Sequence, residues 1–195
     1  MRSTSDPAGS TPLDDDELAD LIPTHLTTRA QLNAWEQANI NDAMRWVLGR
    51  RNKPSMLDVD TLMDLHRRMF GSTWRWAGVL RTTAKNIGVP VHTIAEQLGN
   101  LVADAGYWVE HQTYQPDEMA VRYHHRLVSI HLFPNGNGRH ARLATDLLLE
   151  SIDEPRFSWG AASVVEGDDP RSRYLSALRE ADCGELAALM AFVRS

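Results

Sequence analysis

Residues 131–142 read HLFPNGNGRHAR, and the fold turns on how this stretch is read. Tyr123–Ile130 before it is helix-like, and Arg139–Leu149 after it is a good helix former. Pro134–Gly138 is therefore a local break between two helices, and a break of this composition needs a reason. The first turn of a helix has N–H groups without intrahelical partners, and the macrodipole adds partial positive charge there. Glycine admits positive φ and lets a ligand approach the main chain closely. Gly136-Asn137-Gly138 ahead of a helix thus reads as a nest for phosphate oxygens. Arg139 adds a permanent charge, and Arg142 lies one turn on, so both guanidiniums are expected to face one polyphosphate. His131 is the nearby side chain suited to accepting a proton near neutral pH. A phosphate cradle beside a histidine base implies transfer of a phosphorus group to a hydroxyl.

The rest of the chain narrows the setting. With 195 residues and 43% hydrophobic content it suits one globular domain with an accessory element. No apolar run approaches the ~20 residues of a membrane span, and MRSTSDPAGSTP lacks the apolar centre of a secretory signal. A single cysteine, Cys183, excludes an internal disulfide framework and suits a reducing cytoplasm; it is expected to be a buried thiol. The net charge of −6 is concentrated at the start, where residues 1–20 carry six acids against Arg2. The remainder is nearly balanced, so no basic footprint for direct nucleic-acid binding exists.

Residues 1–12 read as a disordered lead-in and 13–54 as a helical extension, with a short acidic helix at Leu13–Ile22. Thr28-x-x-Gln31 is a capping box opening a helix to Leu48, whose stripe is Leu32, Trp35, Ala43, Trp46 and Val47. Asp58 caps a helix that Gly71 ends. Trp74 and Trp76 read as buried core. Between them and Thr93 the helical period vanishes: Thr82-Thr83 and Ile87-Val89 flank Lys85-Asn86, which predicts a small β-hairpin or extended flap. Thr93-x-x-Glu96, the two helices around the break, Asp169-Pro170 and Glu185–Val193 complete an all-α domain with one hairpin. His124, His125, His131 and His140 invite a metal-hydrolase reading, but no carboxylate or cysteine completes a ligand spacing. Asp146, four residues after Arg142, offers that arginine an ordinary surface partner.

The break resembles the core motif of the Fic family, His-Pro-Phe-x-(Asp/Glu)-Gly-Asn-Gly-Arg-x-x-Arg. His131, Phe133, Gly136, Asn137, Gly138, Arg139 and Arg142 stand at motif positions, with Leu132 in place of the proline and Asn135 in place of the acid. Trp76-Ala-Gly, Arg81-Thr-Thr, Lys85-Asn-Ile87 and Tyr174-Leu-Ser-Ala-Leu look like further Fic segments, which puts the domain at 55–195. The N-terminal part further resembles mobile mystery protein B. The resemblance implies the helical Fic (Fido) fold with a hairpin flap. It implies a protein adenylyltransferase that moves AMP from ATP to a Ser, Thr or Tyr hydroxyl of a target protein. On that model His131 is the base, Gly136, Asn137 and Gly138 line the anion hole, and Arg139 and Arg142 hold the outer phosphates. Thr83, Lys85, Asn86 and Ile87 position the target by strand addition. Asn135 stands where the family's acid holds Mg²⁺, so weakened metal binding with retained activity is expected. Many Fic proteins are restrained by a helix presenting (Ser/Thr)-x-x-x-Glu-(Gly/Asn), which makes Glu36 a candidate inhibitory glutamate, although Leu32 occupies the Ser/Thr position. A small helix-turn-helix antitoxin-like partner is implied by the N-terminal resemblance. The alternatives are a Doc-like phosphotransferase and a weakened nucleotide-binding relic.

Overall fold

The local signals produce seven α-helices among the described residues, which are 18–26, 28–51, 54–161 and 169–195 of this computed structural model. Helix α1 (Arg29–Leu48) opens on the expected capping box: Thr28 Oγ1 accepts from Gln31 N at 3.2 Å, and Gln31 Oε1 accepts from Thr28 N at 3.1 Å. Helix α2 (Val59–Phe70) starts where Asp58 accepts the Thr61 N–H at 2.8 Å and stops at Gly71. A 3₁₀ turn at Val91–Thr93 precedes α3 (Ile94–His111). Thr93 does not cap it: its hydroxyl bonds back to the Pro90 carbonyl at 2.9 Å, closing the 3₁₀ turn instead. Helices α4 (Pro116–Ile130) and α6 (Pro170–Asp182) carry proline in the first turn, where a missing N–H costs nothing. Helix α5 (Asn137–Ser151) follows the break, and α7 (Ala187–Val193) comes after Gly184 at φ +91°.

Two apolar clusters hold these helices. The larger unites Leu32, Ile40, Ala43 and Val47 of α1 with Leu62, Leu65 and Met69 of α2, Leu98 and Leu101 of α3, Leu127 of α4, and Leu147 and Leu148 of α5. The smaller joins Ala120, Val121 and Leu149 to Tyr174, Leu178, Leu189 and Phe192. Helix α4 packs against α3, α5 and α7, so the α4–α5 turn is fixed from several sides. Trp74 and Trp76 are buried and stacked at 5.1 Å, as their setting predicts.

Three expectations change. On α1, Trp35 faces outward, 36% exposed, and Glu36 takes the inward position at 5%; the spacing Leu32–Glu36–Ile40 selects the buried face, and Glu36 finds polar partners there. The helical class holds, but the flap at 79–90 is the extended alternative and not a strand pair. The only β contact among the described residues is the isolated Leu21–Trp74 bridge. The arms of the flap are joined through Arg81, whose guanidinium donates to the Thr83 carbonyl at 3.0 Å and to the Val89 carbonyl, displacing a cross-strand ladder. Cys183 is exposed, because it is the residue at which α6 ends. The lead-in at 1–12 and most of the expected Leu13–Ile22 helix lie outside the described residues.

Candidate active site at the α4–α5 turn

Helix α4 ends on His131, which adopts a left-handed conformation at φ 57°, ψ 67°. A non-glycine residue held there is strained, and such strain persists only where surroundings enforce it. The enforcement is visible in the hydrogen bonds. The His131 carbonyl accepts from Arg81 Nε at 2.6 Å, the Leu132 carbonyl from Arg81 N at 2.9 Å, and the Ile130 carbonyl from Val89 N at 3.4 Å. His131 is 4% exposed. Burial pushes its imidazole down to about 4, and the nearby Arg81 and Lys85 cations act in the same direction. The ring is thus neutral at pH 7, as a proton acceptor must be.

The turn itself is locked. Asn137 Oδ1 accepts from Phe133 N at 2.9 Å while its Nδ2 donates to Phe133 O at 2.8 Å. The Asn137 side chain therefore closes the loop, and what it offers a ligand is its backbone N–H. Gly136 has φ +81°, and a Cβ there would sit 2.7 Å from the Phe70 ring, so both conformation and space require glycine. Gly138 has open space at its Cα, which leaves the start of α5 approachable.

His66, which sequence reasoning passed over, supports this turn. It is fully buried, stacks on Phe133 at 3.6 Å, accepts the Gly78 N–H on Nδ1 at 3.0 Å, and lies 3.1 Å from the Asn135 carbonyl through Nε2. The Gly78 donor fixes the tautomer, so Nε2 carries the hydrogen and donates to Asn135. Desolvation holds its pKa well below the usual imidazole value, with His140 adding to the effect. An isolated histidine on an apolar helix face carried no motif that would single it out. Phe133 is the buried buttress expected of it.

The two arginines do not share a target in this state. Arg139 Nη1 donates to Glu36 Oε2 at 2.7 Å, and its guanidinium lies 4.8 Å from the Phe70 ring centre. Glu36 Oε1 in turn accepts from Trp74 Nε1 at 2.7 Å. Arg142 instead lies over the Tyr174 ring at 4.9 Å. Tyr174 OH lies 2.8 Å from His124 Nε2, so α6 and α4 together steady Arg142. Asp146 is not the partner of Arg142: it accepts from Phe157 N at 3.2 Å and Trp159 Nε1 at 3.0 Å.

Asn135 is the side chain at this turn from which weak Mg²⁺ ligation is expected. Asn135 Oδ1 already accepts the Gly136 N–H at 2.6 Å. Among the described residues no three His, Cys, Asp or Glu side chains gather into a metal site. His124 and His125 are structural, the latter 2.8 Å from Asp182. The flap residues Thr83, Asn86 and Ile87 are exposed and Lys85 is half-buried.

The sequence profile of the Fic/DOC family matches residues 56–149. The chain belongs to the Fic/DOC family. It is 30% identical over 145 residues to protein adenylyltransferase fic-1 of Caenorhabditis elegans, an alignment covering 70% of this chain and 26% of that protein. The chain thus spans about a quarter to a third of the length of the curated relatives it matches. The N-terminal Fic domain of Bep8 from Bartonella sp. 1-1C superposes with a TM-score of 0.70 at 17% identity, covering 88% of each chain. BepC of Bartonella tribocorum, solved with bound AMPPNP, superposes at 0.68 and 17% identity, covering 93% of this chain and 97% of that one. These two likenesses show the Fic fold. No helix among the described residues is long and apolar enough to cross a membrane.

Proposed function

We propose that this Fic protein is a protein adenylyltransferase that moves AMP from ATP onto a Ser, Thr or Tyr hydroxyl of a target protein. One observation carries the reading. A six-residue connection places a neutral imidazole at the left-handed end of α4 and an approachable N-terminal turn at the start of α5. Relatives bearing the name protein adenylyltransferase support it, as does the AMPPNP bound in BepC. In the reaction the target's hydroxyl oxygen attacks the α-phosphorus while its proton passes to His131. The new O–P bond replaces the bond to the β-phosphate oxygen, and pyrophosphate leaves. The free N–H groups of Asn137 and Gly138 face the developing charge, where such donors are most effective. Arg142 holds the outer phosphates, joined by Arg139 once Glu36 lets go. Glu36 is the restraint: while it pairs with Arg139, that guanidinium is withheld from the nucleotide. On the same reading the protein is the toxin of a pair whose partner is a small helix-turn-helix protein.

Labelled ATP tests the proposal. Incubation of the protein alone with ATP labelled at the α-phosphate should give protein-bound label that His131→Ala abolishes. Label arriving only from the γ-phosphate would mean Doc-like phosphotransfer. ATP binding without any label would mean a binding relic, and label persisting in His131→Ala would exclude the imidazole mechanism.

A further inference from the structure

We propose that Arg81 is the positioning residue of this site, a single guanidinium that fastens the target-docking flap to the backbone of the base His131. The inference rests on the adenylyltransferase reading for its purpose, but its geometry is independent of it. Arg81 is 2% exposed. Its side-chain hydrogen bonds go to carbonyl oxygens: His131 at 2.6 Å, Thr83 at 3.0 Å and Val89. A buried cation neutralised by dipoles is a costly way to fill a core, and an apolar residue of similar volume would pack there more cheaply. What the guanidinium uniquely supplies is a fork of donors that reaches three carbonyls at once.

Those carbonyls tie together the three parts that chemistry needs in register. Thr83 and Val89 are the two arms of the flap, and His131 is the strained end of α4. The cation also sits at the C-terminal end of α4, where partial negative charge accumulates. Gly88 completes the clasp: at φ +101° its Cα lies so near that a Cβ would be 2.6 Å from His131 Cβ and 2.8 Å from Arg81 Nη2. The flap is therefore seated on the histidine itself. A target segment that pairs with the flap is thereby delivered to the imidazole in a fixed register.

The charged groups acting on His131 are Arg81 and Lys85, so charge and geometry separate with two variants. Arg81→Lys keeps the cation but cannot span three carbonyls. In it, amide exchange at Arg81, Thr83 and Val89 should accelerate at least about tenfold while α3 and α5 keep their protection. His131, followed by NMR in the histidine-labelled chain, should still titrate low. Arg81→Met should show the same loosening and, in addition, an imidazole whose proton affinity rises at least about tenfold. Flap amides exchanging as in the parent, or an unchanged His131 titration in Arg81→Met, overturns the proposal. If Arg81→Met does not fold, the flap exchange of Arg81→Lys decides alone. None of these readouts needs a target or a nucleotide, so failure of labelling would count against the adenylyltransferase reading and leave this one standing.

Discussion

Glu36 is a carboxylate at a position where α1 turns inward, and its two oxygens are divided between Trp74 and Arg139. The pair is asymmetric: the Glu36 side chain is 7% exposed, the Arg139 side chain 34%. Arg139 can therefore exchange its partner for another anion at the surface, whereas Glu36 cannot leave without stranding the Trp74 N–H. That makes the contact a restraint that a polyphosphate must compete with. Replacing Glu36 with alanine should raise autolabelling and ATP affinity, about tenfold for each ~1.4 kcal/mol of competition removed. Stability should fall by about 1–3 kcal/mol for the indole left unpaired. Equal ATP affinity in the variant and the parent, measured by calorimetry, would remove Glu36 from regulation. The sequence pointed to Glu36 only by its place on an N-terminal helix. Its partner is 103 residues away, and no local pattern encodes that distance.

At the scale of elements, the α4–α5 break is a covalently short, conformationally expensive turn, with His131 and Gly136 both at positive φ. Asn137 makes it one structure and not an ensemble, by returning both ends of its amide to the Phe133 backbone. Asn137→Ala would leave a buried N–H and a buried carbonyl without partners. The expected loss is about 2–4 kcal/mol, or roughly 5–15 °C in Tm. Labelling should be lost more completely than stability, because the anion-binding N–H groups belong to the same turn. A variant that melts like the parent would show that the break is held by other means. This element was the most legible part of the chain: two helical periods, a proline and two glycines lie within twelve residues. The flap was less so, since alternation of Thr, Ile and Val cannot distinguish a ladder from two arms clipped by one arginine.

Over the whole molecule, the buried histidines make folding sensitive to acid. His124 is driven down to about 3, His131 and His140 to about 4, and His66 well below its ordinary value, in each case chiefly by desolvation. Each stays neutral in the folded chain while its unfolded counterpart takes up a proton near pH 6.5. Their contribution is fully present above that pH and is lost as the pH falls toward 4, by up to about 1.4 kcal/mol per pH unit for each ring. Asp146 works the other way: raised to about 6, mainly by burial, it favours the fold when protonated and partly offsets the loss between 6 and 4. Four imidazoles outweigh one carboxyl, so Tm should drop steadily from pH 7 to 4.5. A flat or rising Tm in scanning calorimetry would contradict these burial assignments.

By itself the sequence determined where helices start and stop and where the chain must break, because caps, proline, glycine and apolar period act within one or two turns. It also determined the chemical inventory at that break: an imidazole, a glycine-rich turn and two guanidiniums. Tertiary structure alone decided how those groups are deployed. Packing α1 against α2 brought Glu36 onto Arg139, packing α6 beside α4 gave Arg142 to Tyr174, and folding the flap back onto α4 placed Arg81 under His131. Each is an encounter between residues far apart in the chain, set by which faces the two cores bury, and burial is a property of the assembled molecule.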